Sequence, residues 1–424
     1  MTTALVADLE WRGLIAQTTD RDALLKDLNA GPVAYYCGYD PTAPSLHVGN
    51  LVVLTVMRRF QLAGHKPIPL VGGATGLVGD PSGRNEERSL NDESIVEEWV
   101  ARLRNQISRF LDFDTPKNAA VMVNNLDWTK SMSALEFLRD VGKHFSVNQM
   151  LAKDSVSSRL EAGGISYTEF SYQVLQGYDF LELYRRHNCK IQLGGSDQWG
   201  NIIAGLDLIR KVEQGSAHAF TVPLMTKSDG SKFGKTASGA VWLDAEMTSP
   251  YAFYQYWLNT EDADVPKFLK VFSFKERSEI ERLIETVETN PGAREAHREL
   301  ARELTTLVHG VKECAQAEAA GKALFGQGEL SELEEKTLEA ALNQLPRTTV
   351  ARGENFPTWV DLLAATGVVD SKSAARRIVK EGGAYLNNVK IAGEDFAPTS
   401  SDLIYGRFLI LRKGKRDLAA VEVI

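Results

Sequence analysis

The sequence predicts an α/β protein built on a parallel sheet, followed by a helical segment and a small α+β segment. Three observations carry this expectation. Apolar, strand-like runs alternate with helical patterns from residue 33 to about 225, the order expected of parallel strands joined by helices. Residues 249–325 are helical in pattern almost throughout. Residues 357–424 turn to helix–turn–helix and then to short strands.

Residues 1–30 read as a helix and a loop. The strands are VAYYCGY, KPIPLVGGAT, AAVMVNN and KIQLGG, rich in the β-branched and aromatic residues that suit a pleated surface. A mostly helical stretch, about 125–180, follows the third strand and reads as an insertion between the halves of the sheet. KSDGSKFGKTASGA, within 226–247, is a loop of glycine, serine and lysine. Residues 326–356 carry Gly, Gln and Pro without a period and read as a linker. The expected divisions are 1–225, 226–247 as loop and connector, 248–325, 326–356 and 357–424.

The chain of 424 residues is 43% hydrophobic and 25% charged, enough for several domains with real cores. No apolar run approaches the ~20 residues of a bilayer span, so no membrane partner is expected. The first 22 residues carry acids and no long apolar core, and read as neither a secretory signal nor a transit peptide. The three cysteines, Cys37, Cys189 and Cys314, are far apart, which fits a reducing cytoplasm without disulfides or a structural metal. Net charge is −8. Residues 357–424 hold ten Lys/Arg against eight Asp/Glu, leaving −10 for the remainder. A mildly basic tail on an acidic body suggests a local nucleic-acid contact, although charge alone is better explained by a solvated face.

Five stretches carry chemistry. Residues 33–50, VAYYCGYDPTAPSLHVGN, read as strand, turn and helix start. A helix N-terminus has free N–H groups and partial positive charge, a ready site for phosphate. Asp40 and Thr42 precede His47 and Asn50 there, and Gly49 lets a flat ring or ribose approach the backbone. The second is Lys232–Phe233–Gly234–Lys235–Thr236, whose ammonium groups can neutralise a polyphosphate leaving group. The third is Tyr172, Gln176 and Asp179, spaced i, i+4 and i+7 on one helix face. Apolar neighbours bury that face, and buried polar groups need partners, which a small polar ligand would supply. The fourth is the glycine turn 194–200 with Ser196, Asp197 and Gln198, at a strand's carboxyl end and suited to ribose. The fifth, VGGATGLVGDPSG at 71–83, puts Asp80 at a turn and lacks the Lys-Ser/Thr of a P-loop.

HVGN resembles the HIGH signature of class I aminoacyl-tRNA synthetases, and KFGKT their KMSKS signature. YCGYDPTAPSLHVGN, GGATGLVGDPS, ISYTEFSYQVLQGYDF and QLGGSDQWGN are similar to the bacterial tyrosyl branch of that family. The resemblance implies a Rossmann-like catalytic domain, then an α-helical anticodon-recognition domain. It implies ATP with Mg²⁺, L-tyrosine and tRNA(Tyr) as reactants, and a homodimer joined through the 125–180 insertion. His47, Asn50 and Thr42 would meet ATP phosphates, with Lys232, Lys235 and Thr236 closing from the loop. Tyr36 and Asp179 would bind the phenolic hydroxyl of tyrosine. Asp80, Tyr172 and Gln176 would hold its α-amino group, with Asp40 and Gln198 near the reacting carboxylate. Gly195, Asp197, Cys37 and Gly38 would take the ribose side of ATP, Gly49 the adenine face, and Leu224 and Met225 its other side. Asn50 replaces the last His of the signature. Arg84 stands where the family often has Lys, and Arg88 keeps positive charge near pyrophosphate.

SKSAARRIVKEGGAYLNNVKI resembles the small S-four-type RNA-binding module, with Lys372, Arg376, Arg377 and Lys380 on its basic helix. Such contacts give affinity more than sequence reading. A tryptophanyl enzyme would share the fold without the Tyr36/Asp179 pair or the basic tail. A non-catalytic RNA-binding derivative would lack the two ATP signatures.

Overall fold

The computed structural model describes residues 2–79, 92–153, 156–157, 160–161, 163–231, 233–236, 239–353 and 356–424. The chain divides into two compact units, 1–244 with 261–292, and 245–260 with 293–424.

The first unit is built on a six-stranded sheet. Its strands are β1 (Gln17–Thr18), β2 (Ala34–Tyr39), β3 (Lys66–Val71), β4 (Val123–Asn124), β5 (Cys189–Gly195) and β6 (His218–Val222), in the order β1-β6-β5-β2-β3-β4. All neighbours are parallel except β1, which runs against β6. The four longer strands are buried almost throughout, as strands covered on both faces must be. From β2 the chain moves to β3 and β4 on one side, then returns to β5 and β6 on the other. The order therefore reverses between β2 and β5, and a crevice opens beyond their carboxyl ends. β1 and β6 were not foreseen from the sequence. HAFTV is five residues long and wholly buried, so it carries no alternation to read. A short hairpin, β7 (Lys235–Thr236) and β8 (Gly239–Ala240), follows β6.

α1 (Thr2–Trp11) and α2 (Arg21–Ala30) precede the parallel strands. Four further helices position the crevice. α3 (Val48–Leu62) starts at the turn after β2, and α4 (Glu93–Ile107) precedes β4. α5 (Tyr167–His187) runs into β5, capped by Ser166 at one end and by left-handed Asn188 at the other. α6 (Trp199–Glu213) links β5 to β6 and packs on α5. The core between sheet and helices includes Tyr36, Ile68, Leu70, Phe180, Leu183, Cys189 and Leu208.

The second unit combines helices with a five-stranded sheet. It takes α7 (Pro250–Leu258) from the segment 245–260, whereas α8 (Val265–Phe272) and α9 (Arg277–Thr289) belong to the first unit. α7 packs on α10 (Glu295–His309) and α11 (Val311–Ala323), with α12 (Glu335–Leu342) beside them. The sheet is β9 (Arg347–Val350), β10 (Ala384–Leu386), β11 (Val389–Lys390), β12 (Phe408–Lys413) and β13 (Asp417–Val423), ordered β11-β10-β12-β13-β9. α13 (Trp359–Ala365) and α14 (Lys372–Lys380) cover it around Trp359, Leu363, Ala375, Val379, Leu409 and Val421. Both α12 and β9 fall within 326–356, where the sequence suggested a linker; β9 pairs in parallel with β13. Arg407 bridges Glu335 and Glu339 of α12 and Glu422 of β13 at 3.2, 3.1 and 2.8 Å. No helix among the described residues is long and apolar enough to cross a membrane.

In the first unit, two buried arginines hold the end of α8. Arg12, on the turn after α1, donates to the Lys270 and Ser273 carbonyls, each at 2.8 Å. Arg59 of α3 donates to Ser273 O at 2.6 Å. Guanidinium groups here satisfy terminal carbonyls and meet the negative end of the helix dipole. Arg12→Leu removes donors from the last carbonyls of α8. A loss of about 2–3 kcal/mol in local stability is expected, read as faster amide hydrogen exchange across α8 and α9. Exchange at the wild-type rate there would show that Arg59 suffices alone.

Candidate active site

The turn after β2 ends in a helix cap. His47 adopts an extended backbone, and its Nδ1 accepts from the Gly49 N–H at 3.0 Å. The Asn50 side-chain oxygen accepts from the His47 N–H at 3.0 Å, closing a capping box. A Cβ on Gly49 would lie 2.7 Å from the imidazole, so the glycine is needed by His47 itself. With Nδ1 accepting, the fitting tautomer carries its proton on Nε2 and presents a donor. The ring is partly open to solvent, yet surrounding protein and the Lys235 ammonium hold its pKa below that of free histidine. Thr42 is exposed two residues beyond Asp40, its N–H bonded to Asp40 O at 2.9 Å.

The lysine loop is fastened to this same helix start. Its hairpin of β7 and β8 follows Gly234. Gly234 has φ +78°, and a Cβ there would fall 2.6 Å from Val48 Cγ2. Only glycine lets the loop lie against the first residue of α3. Val241 N–H donates to Gly234 O, and Val48 N–H donates to Val241 O, both at 2.9 Å. Phe233 is buried between Phe268 and Phe272 of α8, with centroids 5.0 and 5.6 Å away. The two signature segments, far apart along the chain, thus form one hydrogen-bonded junction. Lys235 is exposed beside His47. Lys232, the Thr236 side chain, Asp80, Arg84 and Arg88 lie outside the described residues.

A polar network runs beneath the crevice. The Tyr172 hydroxyl donates to Asp40 at 2.8 Å, and Thr75 donates to the other Asp40 oxygen at 2.6 Å. Asn125 Nδ2 lies 3.0 Å from Thr75 Oγ1 and 3.0 Å from Asp179 Oδ2. Trp128 Nε1 donates to Asp179 Oδ1 at 2.9 Å. Burial pushes the Asp179 carboxyl up to about 7, against these two donors, with Asp40 and Glu182 adding to the rise. Tyr36, on β2, pairs in register with Gln192 on β5. Among the described residues, no partner meets the Tyr36 hydroxyl or the side-chain oxygens of Gln176 and Gln192, all buried atoms. Such groups are costly unless something polar fills the space above them. Burial raises the Tyr36 hydroxyl well above its usual range and the Cys37 thiol to about 12, so both are neutral.

The glycine turn closes the other side of the crevice. A Cβ on Gly195 would sit 2.4 Å from Asp197 Oδ1 and 3.5 Å from Leu224 Cδ2, so both side chains stand against it. Leu224 is exposed and Met225 half-buried, directly after β6. Gln198 accepts from Asn201 at 3.3 Å, and Gly38 is exposed near the end of β2. Tyr36, Cys37, Gly38, Asp40, Thr42, His47, Asn50, Lys235, Tyr172, Gln176, Asp179, Gly195, Asp197 and Gln198 thus all belong to the strand ends around the switch in sheet order, or to the segments that lead from or into them. Lys372, Arg376, Arg377 and Lys380 are on α14 of the second unit. Each has an acid within 4 Å: Asp361 at 2.6 Å, Glu394 at 3.8 Å, Glu381 at 3.7 Å and Glu394 at 3.2 Å respectively. Thr75, Asn125, Trp128 and Gln192 were missed from the sequence. No local period marks them, because their roles depend on contacts between distant segments. A cleft of about 570 Å³ lies in the second unit, beside Asn387 and Tyr405.

Residues 28–326 match the family of tRNA synthetases class I (W and Y), and 337–421 match the tyrosine–tRNA ligase SYY-like C-terminal domain. The chain is 62% identical over 423 residues to a tyrosine–tRNA ligase of Streptomyces avermitilis, covering 99% of each. It is 55% identical over 430 residues to that of Thermobifida fusca, again covering 99% of each. The C-terminally truncated mitochondrial tyrosyl-tRNA synthetase of Aspergillus nidulans is similar in structure, with a TM-score of 0.69 and 32% identity. That match covers 76% of this chain and 94% of the other.

Trp128→Phe removes one of two donors from a buried carboxylate. The Asp179 pKa should rise by about one unit or more, followed by carbon-13 NMR of a labelled aspartate. A fall, or no change, would mean that the indole N–H does not stabilise the ionised form.

Proposed function

The chain belongs to the class I tRNA synthetases, in their tyrosine–tRNA ligase branch, and on that footing we propose which residues carry its chemistry. The tyrosine carboxylate attacks the α-phosphorus of ATP; an O–P bond forms and pyrophosphate leaves. The terminal ribose hydroxyl of tRNA(Tyr) then takes the tyrosyl group, and AMP leaves. Neither step needs a covalent side-chain nucleophile. Positioning and charge stabilisation carry both.

The observation that carries the assignment of residues is the buried Asp179 carboxylate beside the unpartnered Tyr36 hydroxyl. A phenol between them donates to Asp179 and meets Tyr36. Tyr172 and the free Gln176 oxygen are the acceptors for the α-ammonium, with Asp80 assigned to the same end. Asp40 and Gln198 are assigned to the neighbourhood of the reacting carboxylate. The ribose falls to Gly195 and Asp197, with Cys37 and Gly38 beside it. Adenine lies between Gly49 on one side and Leu224 and Met225 on the other. His47 offers its Nε2–H to the phosphates at the positive end of α3, together with Asn50 and Thr42. Lys232, Lys235, Thr236 and Arg88 balance the charge on departing pyrophosphate.

Mg²⁺ enters with ATP. No three His, Cys, Asp or Glu side chains converge as metal ligands among the described residues, and Mg²⁺ bound to nucleotides takes phosphate oxygens and water readily. The helical stretch 248–325 is assigned to the anticodon and the basic α14 to tRNA phosphates, where RNA must displace Asp361, Glu381 and Glu394. A homodimer through the 125–180 insertion is supported by its exposed apolar side chains, with Leu135 79% and Tyr167 71% exposed. The same reading gives a cytoplasmic enzyme.

Two outcomes test these roles. An ionised Asp179 accepts from the phenol more strongly than its protonated form does, and burial raises that carboxyl to about 7, so tyrosine affinity falls as the medium is acidified through that value. Phenylalanine has no hydroxyl to lose, and the preference for tyrosine narrows over the same range. A preference independent of pH, measured by ATP–pyrophosphate exchange with both amino acids, rejects the pairing with Asp179. Lys235→Ala should slow adenylate formation by roughly 10²-fold or more and leave tyrosine binding within about twofold. A matching loss of tyrosine affinity would contradict a role confined to the phosphates.

A further inference from the structure

Gln106 lies on α4, outside every segment discussed above as chemistry, and is 5% exposed. Its side-chain oxygen accepts from the Leu46 N–H at 2.9 Å and from the Ser45 hydroxyl at 3.3 Å. Its Nε2 donates to Asp244 Oδ2 at 3.4 Å. The two segments it touches are the one entering His47 and the one leaving the lysine loop. They also bond to each other. Leu243 N–H donates to Leu46 O at 2.8 Å, and Asp244 N–H donates to Ser45 Oγ at 3.1 Å. One step further along, Val48, Val241 and Gly234 continue the same pairing. A single buried amide therefore joins both sides of a short backbone ladder. One side of that ladder leads to His47 and the other to the root of Lys235.

We propose that Gln106 is a positioning residue for adenylate formation. It sets the register between the helix start that bears His47 and the hairpin that bears Lys235. The proposal rests on the reading of Lys235 as a phosphate-neutralising group. Gln106 touches no reactant and acts through the residues it aligns. A small error in that alignment moves an ammonium on a short hairpin relative to the imidazole. Misplacement by about 1 Å can cost 10²-fold in rate. The tyrosine end depends on Asp179, Asn125 and Trp128, and its bonds are made apart from those of Gln106, so it is unaffected.

The test is a double-mutant cycle on the full chain, read by ATP–pyrophosphate exchange and by tyrosine binding at equilibrium. Gln106→Leu should lower kcat for exchange roughly tenfold to a hundredfold, with tyrosine Kd within about twofold. In a Lys235→Ala background the same substitution should cost under about twofold, because the group it aligns is gone. Ser45→Ala, a smaller excision at the junction, should show a weaker loss with the same dependence on Lys235. It serves where the leucine variant does not fold. Equal losses in both backgrounds, or tyrosine affinity falling in parallel, overturn the proposal and make Gln106 a purely structural amide. A Lys235→Ala enzyme as fast as wild type overturns the reading of the loop lysine first, and the role of Gln106 with it.

Discussion

The carboxylate of Asp179, taken out of water inside α5, is the constraint on which the rest of the site depends. Two effects compete there. Desolvation favours the neutral acid, and the Asn125 and Trp128 donors favour the anion. Desolvation wins in part, leaving the group near neutrality at about 7. In the proposed role, a carboxylate so poised would bind a hydroxyl strongly, because no solvent competes for it. The same proposed role carries discrimination: a ligand lacking the hydroxyl would leave buried groups unpaired, which is where large selectivity arises. Tyrosyl-tRNA synthetases are themselves the standard illustration of that rule, so its magnitude belongs to the family and does not come from the geometry of this chain.

The half proposed to hold the nucleotide rests on a different principle. His47 and Asn50 are already used in capping α3, so their orientation is fixed before any nucleotide arrives. The hairpin that bears Lys235 is bonded to the same helix start, while Phe233 is sunk between Phe268 and Phe272. α8, which carries those two rings, is held at its end by Arg12 and Arg59. The exposed ammonium thus stands on a chain of buried contacts that reaches back to α1. Preorganised charge of this sort needs no rearrangement during reaction, which is why it stabilises a charged leaving group more effectively than water does.

Much of this was legible in the sequence, for identifiable reasons. β2, β3 and β5 are long and apolar enough to stand out. Tyr172, Gln176 and Asp179 announce a shared face because a helix repeats every 3.6 residues. The clustering of glycine near 194 and of lysine near 232 is visible in the residue order itself. Other features depend on tertiary contact and leave no local trace. RTTV at β9 is four residues long and gains its identity by pairing with β13. Asn125 and Trp128 follow β4 on a single turn of helix, and only the fold brings them to Asp179. A helix cap is one reading of the His47–Asn50 stretch, and the geometry bears it out: the Asn50 side-chain oxygen accepts from the His47 N–H.

The unsatisfied polar groups of the crevice and the buried clamps around it are two parts of one arrangement. The side-chain oxygens of Tyr36, Gln176 and Gln192 are buried and meet no protein partner among the described residues. Other buried polar side chains nearby in the first unit are engaged: Asn125 bonded to both Thr75 and Asp179, Arg12 to two carbonyls, Gln106 to two chain segments. On the proposed reading, a ligand with a phenol, an ammonium and a carboxylate completes the open hydrogen bonds, and binding gains from satisfying polar groups that the packing holds apart.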